Sequence, residues 1–264
     1  MELLGASVSV NLLTGKRALI TGAGKGIGRE IAIEYASSGA DTCLVSRTSE
    51  EIELLAKEIR RRFRVESIPI TADVSSREST RNAVVNAQRQ LGGIDILVNA
   101  AGYPLIKELW ESRMHTLNEE DILRVLQVDV LGSFRMIKDV LPFMMKQKHG
   151  VIILFSSTPA LSGYDKGGAY TVAKAANLGL AKELAAEYGR YNIRVYAIAP
   201  GNIKTKRTFD QLSKKDQEKL ASEAPLRRWG TPKEVAEVAV ALASDKMAFV
   251  TGQTIVVDGG TTML

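Results

Sequence analysis

Ser157, Tyr170 and Lys174 combine, by type and spacing, into a device for moving a proton. The Ser157 hydroxyl follows the apolar run Val151-Ile152-Ile153-Leu154-Phe155, which reads as a buried strand, so it sits where a strand ends. Tyr170 and Lys174 stand four apart in an alanine-rich segment, 170–188, that reads as a helix, and their side chains share one face. A nearby ammonium favours a phenolate, which makes such a tyrosine a usable general acid or base. Ser157 could hold the oxygen it serves. Taken alone, a Tyr-x-x-x-Lys pair reads more readily as a packed tyrosine beside a solvated lysine, and the rest of the chain reverses that preference.

A strand before the hydroxyl and a helix carrying the phenol call for an α/β frame. The segment 17–21 reads as a first strand, followed by Gly22-Ala23-Gly24-Lys25-Gly26-Ile27-Gly28 and a helix over 29–38. Glycines there allow a tight turn and let N–H groups approach a pyrophosphate at the helix N-terminus, a plain glycine-rich turn being the alternative. Further strands at 42–46, 65–70, 94–98, 151–155, 193–198 and 254–257 alternate with helices at 49–62, 77–91, 118–146 and 170–188 and one entered at Pro232. Pro142 is expected to break or bend the helix 118–146. This alternation, without repeat or compositional break, predicts a single α/β domain: a doubly wound (Rossmann-type) parallel sheet of about seven strands with helices on both faces. Every motif singled out falls at a strand's carboxyl end, where such sheets bind ligands, or on the helix just after. Residues 1–15 read as a leader on the domain surface without chemistry, and 16–264 as the domain.

Composition narrows the class. Of 264 residues 45% are apolar and 25% charged, which suits a globular chain and excludes a disordered or collagen-like one. The net charge of +5 suits an anionic ligand without requiring nucleic acid. Arg60, Arg61, Arg62 and Arg64 cluster at a predicted helix end, where cations complement the dipole; attraction of a phosphorylated cofactor or acyl carrier is the other reading. The single cysteine, Cys43, lies in an apolar run and reads as a buried structural thiol, with no intramolecular disulfide possible. No apolar stretch approaches the roughly 20 residues of a membrane span, and the start lacks a signal-peptide pattern, so no membrane contact and a cytoplasmic location are expected. His115 and His149 have no partner at metal-ligand spacing, and no metal site is expected.

The glycines read Thr-Gly-x-x-x-Gly-x-Gly from Thr21 rather than G-x-G-x-x-G. With Asn99-Ala100-Ala101-Gly102 after the fourth strand, the Ser157/Tyr170/Lys174 set, and Pro200-Gly201-Asn202-Ile203-Lys204-Thr205 after the sixth, the chain resembles the classical short-chain dehydrogenase/reductase family from Lys16 onward. The resemblance implies hydride transfer between nicotinamide C4 and a carbonyl or secondary alcohol. Ser157 then polarises the oxygen, Tyr170 delivers its proton, and Lys174 supports the phenolate and binds the nicotinamide ribose. It also implies cofactor contacts from Gly22, Gly24, Lys25, Gly26, Ile27 and Gly28, from Asp73 and Val74 to the adenine, from Asn99, Ala100, Ala101 and Gly102 to a ribose, and from Pro200, Gly201, Ile203 and Thr205 to the nicotinamide. Ala100 departs from the family's Asn-Asn-Ala-Gly. So does Asp129, in Val128-Asp129-Val130-Leu131-Gly132, where the family carries an asparagine that holds a relay water. A carboxylate can hold that water too, and it places a negative charge beside Lys174 that raises the lysine's pKa. A purely structural helix residue is the other reading of Asp129.

The second strand ends in Ser46-Arg47, without the acid that takes a ribose 2′-hydroxyl. Arg47, with Lys25 in the glycine loop, points to NADP(H) over NAD(H), surface charge being the alternative. Pro225-Leu226-Arg227-Arg228-Trp229-Gly230-Thr231-Pro232 and the glycine-ended C-terminus look like those of 3-oxoacyl-acyl-carrier-protein reductases. A 3-oxoacyl thioester is therefore the first substrate reading. A sugar or polyol, as for a glucose 1-dehydrogenase, is the second, and a small ketone or quinone the third. A catalytically silent NADP-binding interaction protein is the alternative of a different class. The segment 103–127, with Trp110, Met114 and His115, is long enough to border the substrate pocket, and 206–223 suits a lid. The family resemblance implies a homotetramer, with helices near 118–146 and 169–189 packing between subunits.

Overall fold

Apolar runs too continuous to face water on either side build the sheet of the computed structural model, which describes residues 11–263. In chain order the elements are β1 (Arg17–Thr21), α1 (Gly26–Ser37), β2 (Asp41–Ser46), α2 (Ser49–Phe63), β3 (Ser67–Thr71), α3 (Arg77–Leu91), β4 (Ile96–Asn99), α4 (Lys107–Glu111), α5 (Glu119–Asp129), α6 (Leu131–Gln147), β5 (Gly150–Phe155), α7 (Pro159–Ser162), α8 (Gly168–Tyr188), β6 (Ile193–Pro200), α9 (Lys214–Glu223), α10 (Pro232–Ala243) and β7 (Thr254–Val257). All residues of β4 and β5 are buried. The seven strands form one parallel sheet in the order β3-β2-β1-β4-β5-β6-β7. This is the doubly wound α/β sheet expected from the alternation of elements. One apolar cluster, including Ile31, Tyr35, Leu55 and Val235, packs against one face; a second, including Val84, Ile137, Val140 and Leu184, packs against the other.

Local chemistry explains the helices. In α2 the buried residues Ile52, Leu55, Ala56 and Ile59 form one stripe, Glu50 and Glu51 occupy the first turn, and Arg60, Arg61 and Arg62 the last, as the helix dipole favours. Helix α3 is capped by Ser76, whose side chain accepts the Ser79 N–H. Helix α10 begins with a capping box between Thr231 and Glu234, with Pro232 in its first turn.

Two sequence expectations are corrected. The helix expected over 118–146 with a bend near Pro142 is two helices that break at Val130, and Pro142 lies inside α6. At the break the Asp129 carbonyl accepts side-chain hydrogen bonds from Ser133 Oγ (3.0 Å) and Asn177 Nδ2 (3.4 Å), which compete with the helix ladder. The expected leader lies mostly outside the described residues, but Leu13, placed in it, is fully buried, and its N–H donates to Ser38 O at 2.9 Å. Leu13 therefore belongs to the core.

The amino ends of β1 and β4 are held together by Asp95. Its carboxylate accepts the Arg17 backbone N–H (2.8 Å), Nε (2.7 Å) and Nη2 (2.8 Å), and its own N–H donates to Arg17 O at 2.8 Å. Burial pushes the Asp95 carboxyl up, but the Arg17 hydrogen bonds and charge, with His149 beyond, hold it below its ordinary value. A depressed carboxylate adds stability above its unfolded pKa of about 3.9, and that contribution is lost as pH falls through the lower folded value. Asp95→Asn should therefore destabilise the protein at pH 7 by about 2–3 kcal/mol. In urea unfolding series the gap from wild type should close in strong acid.

Candidate active site

The sheet order places the switch between outward and returning strands at β1 and β4, so a crevice opens outside their carboxyl ends. Thr21 at the end of β1 pairs with Val45 on β2 and with Asn99 on β4, and Asn99 pairs with Leu154 on β5. The loops that follow these strands therefore emerge along one edge.

The glycine loop is packed too closely for side chains. A Cβ on Gly22 would lie 2.7 Å from Ala100 O, and one on Gly28 would run into Gly22 O, which the loop's turn onto α1 requires. Helix α1 starts at Gly26, three residues earlier than expected, and its N-cap Lys25 makes no side-chain capping bond. The leading N–H groups of α1, those of Gly26, Ile27 and Gly28, are thus available to an anion. A Cβ on Gly26 would lie 3.8 Å from Thr205 Cγ2, which brings the Pro200 to Thr205 turn beside the loop. Thr205 is fixed by Thr208, their Oγ1 atoms 2.8 Å apart. Gly201 packs against Asp258, and Ile203 is 4% exposed with its Cδ1 beneath Gly230, so its side chain is largely committed to the core.

On the other side of the crevice, Ala101 N–H donates to Thr21 Oγ1 at 3.1 Å, and Asn99 keeps Nδ2 and Oδ1 buried without partners among the described residues. Asp73 Oδ1 accepts Ser75 N–H and Oγ, both at 2.8 Å, and Val74 is buried against Gly132. Ser46 Oγ accepts Thr48 N–H at 3.4 Å, and Arg47 is exposed. Lys25 is engaged by Glu51, its Nζ 2.5 Å from Oε1. These residues fit a dinucleotide: free N–H donors for a diphosphate, a bare glycine turn, and unpaired amide groups at the crevice floor.

The residues that the sequence singles out for proton transfer lie beyond. Lys174 Nζ sits 5.4 Å from the centre of the Tyr170 ring and 2.6 Å from Asp129 Oδ1. Asp129 Oδ2 accepts the Tyr103 N–H at 2.6 Å, and a Cβ on Gly102 would meet Asp129 Oδ1 at 3.4 Å and Lys174 Nζ at 3.7 Å. The Lys174 and Asp129 side chains are 9% and 1% exposed. Burial works against the ammonium, but the charges of Asp129 and the Tyr170 oxygen, and the hydrogen bond to Asp129, hold the Lys174 pKa above its ordinary value. Ser157 follows β5 and directs its Oγ to Pro200 O at 3.4 Å, a weak contact.

Several participants escaped the sequence reading. Ser156 Oγ donates to Lys174 O at 2.9 Å, and Asn177 Nδ2 to Phe155 O at 3.0 Å, so β5 and α8 are clipped together around Lys174. Asn177, three residues after Lys174 on the same helix face, could have been found by that spacing. Trp110, expected only to border the pocket, stacks on Tyr164 (centroids 5.5 Å apart, 28°) and meets Tyr170 edge-on (5.5 Å, 74°). A Cβ on Gly167 would lie 2.6 Å from the Trp110 ring, which requires the glycine, whose φ is also +66°. Tyr103, Leu105, Leu109, Trp110 and Val125 leave an apolar recess beside Tyr170. Met114 touches Gly168, and His115 is exposed. Among the described residues no group of three or more His, Cys, Asp or Glu could hold a metal ion, and no helix is long and apolar enough to cross a membrane.

Comparison with known proteins agrees with this geometry. Residues 22–262 match the sequence model of the family described as Enoyl-(Acyl carrier protein) reductase. The chain is 40% identical over 259 residues to oxidoreductase UcpA of Salmonella typhimurium, covering 95% of this chain and 96% of that one. It is 36% identical over 253 residues to the 3-oxoacyl-(acyl-carrier-protein) reductase FabG of Thermotoga maritima, covering 94% and 98%. Its fold matches the crystal structure of a 3-oxoacyl-(acyl-carrier protein) reductase from Brucella melitensis with a TM-score of 0.90 at 31% identity, covering 100% and 99%. That of levodione reductase matches with a TM-score of 0.87 at 30% identity, covering 94% and 97%. By its sheet order, its crevice and relatives that span nearly its whole length, the chain belongs to the short-chain dehydrogenase/reductase family of oxidoreductases.

Proposed function

We propose that the protein is a cytoplasmic NADP(H)-dependent carbonyl reductase whose preferred substrate is a 3-oxoacyl thioester, with Ser157, Tyr170 and Lys174 as its catalytic residues. The observation that carries this reading is the buried Lys174 ammonium beside the Tyr170 ring, at the mouth of an apolar recess. A bound nicotinamide supplies or accepts the hydride. Tyr170 gives its phenolic proton to the substrate oxygen as charge develops there, and Ser157, only weakly held by Pro200 O, turns its hydroxyl to the same oxygen. Lys174 stabilises the phenolate left behind. Asp129 holds the ammonium in place and is the next acceptor behind it, taking the position of the family's relay asparagine.

Several relatives at 34–36% identity are named 3-oxoacyl-(acyl-carrier-protein) reductases, which supports a 3-oxoacyl thioester. Exposed Arg47 supports NADP(H). An apolar groove between α6 and α8, lined by Val130, Leu131, Phe134, Ala176 and Leu180, supports the homotetramer.

Tyr170→Phe should lower turnover by about 10²–10⁴-fold while dinucleotide binding, read by fluorescence, persists. Undiminished turnover would remove Tyr170 from the reaction. With the wild-type protein, a short 3-oxoacyl thioester should consume NADPH, while aldoses with NADP⁺ should be silent; the reverse would overturn the acyl reading. Asp129→Ala leaves a buried ammonium unpaired and should cost about 3–5 kcal/mol in urea unfolding. Because folding raises the Lys174 pKa, that contribution is fully present below the unfolded value of about 10.4 and fades as pH climbs through the folded one. The deficit should therefore narrow in strong alkali. Phe134→Asp, placing a charge in the α6/α8 groove, should shift the sedimenting species from four chains to fewer.

A further inference from the structure

Glu51 reaches back from the first turn of α2 across the glycine loop, and nothing in the mechanism above uses it. Its Oε1 lies 2.5 Å from Lys25 Nζ. A Cβ built on Gly24 would stand 2.5 Å from its Oε2 and 3.1 Å from Ser46 Oγ, so the carboxylate covers Gly24 and lies beside the end of β2. The side chain is 25% exposed, and its charge is favoured by the N-terminal end of α2. Arg47, the residue after Ser46, is exposed and has no ion-pair partner among the described residues. The neighbouring cation on α1, Arg29, is taken by Glu58 at 2.8 Å. One carboxylate and two cations, Lys25 and Arg47, therefore stand around the end of β2, where a dinucleotide's adenosine ribose belongs.

Two ligand chemistries meet this arrangement differently. A ribose with free hydroxyls brings donors, which a carboxylate accepts while remaining paired with Lys25. A 2′-phosphate brings a charge of about −1.5 to −2 against the same carboxylate and must share Lys25 with Glu51. We propose that Glu51 is a specificity-determining residue. Supplied by α2 in place of an acid at the end of β2, it accepts a ribose hydroxyl and competes with a 2′-phosphate for Lys25. The inference rests on the dinucleotide reading above and sharpens it: Arg47 favours the phosphorylated cofactor, and Glu51 narrows that preference.

The test isolates the adenosine end by calorimetric titration of 2′,5′-ADP and of 5′-AMP at pH 8 into wild type, Glu51→Gln, Lys25→Ala, the double variant and Arg47→Ala, with melting temperatures confirming folding. Glu51→Gln should tighten 2′,5′-ADP about tenfold or more and leave 5′-AMP unchanged or weaker. The gain should vanish in the double variant, because the freed Lys25 provides it. Equal changes for the two fragments, no change, or a gain that survives the loss of Lys25 would overturn the role of Glu51. Arg47→Ala separates this from the reading beneath it. If 2′,5′-ADP binds that variant as well as wild type while Glu51→Gln still tightens it, the argument for NADP(H) from Arg47 falls and the Glu51 inference stands.

Discussion

An ammonium can be buried only against a counter-charge, and that requirement organises the interior of the crevice. Lys174 meets it with Asp129 at 2.6 Å. Asp129 lies at the end of α5, where the helix breaks, and its carbonyl is taken by Ser133 and Asn177. Asn177 in turn binds the Phe155 carbonyl at the end of β5, and Ser156 binds the Lys174 carbonyl on α8. A single charge pair thus ties two helices to the strand that presents Ser157. Deleting one partner would expose the desolvation cost that the network now offsets, although the pair itself need not add net stability.

The two sides of the crevice differ in how they are held. The floor and the glycine loop hang on strand ends whose register is fixed across the sheet, from Thr21 on β1 to Asn99 and Leu154. The covering elements are looser: α4 and α9 contain no buried residues. Segments with so little buried surface occupy the low-stability end of a structure and open most readily. Trp110 is the exception on that side, seated on Gly167 and against Tyr170, so the looser cover still carries one fixed aromatic wall. A rigid frame with a variable cover lets one architecture serve different substrates, which is why family membership alone leaves the substrate open.

Legibility in the sequence followed the range of the forces involved. Strands β1 and β7 and helix α3 have the limits that periodicity and turn residues assign, because short-range patterning decides them. The Tyr170 and Lys174 juxtaposition was legible for the same reason, since helical spacing fixes it. The break at Val130 was not, because the side chains that take up the Asp129 carbonyl there, Ser133 and Asn177, carry no helix-stop signal in the sequence. Leu13 reads as surface because the pair Leu12-Leu13 between Asn11 and Thr14 is too short to show periodicity; only its contact with the chain at Ser38 reveals the burial. Trp110 against Tyr170 joins segments far apart in sequence, and neither marks the other.

The proposed ribose end of the crevice was the hardest part to read because it is decided by charge balance rather than by residue identity. Arg47 and Lys25 announce themselves in the sequence as cations at ligand-facing positions. The carboxylate that takes up Lys25 comes from a helix whose acidic first turn is fully explained by the helix dipole, so nothing in the pattern marks Glu51 as special. Yet a lysine already 2.5 Å from a carboxylate is not the same electrostatic object as a free one. At this half-exposed edge each such interaction is small and screened by salt, so selectivity between ligands that differ by one phosphate is a difference of comparable terms. Counting cations in the sequence gives the sign of that difference only if every anion within reach has also been found, and finding them takes the fold.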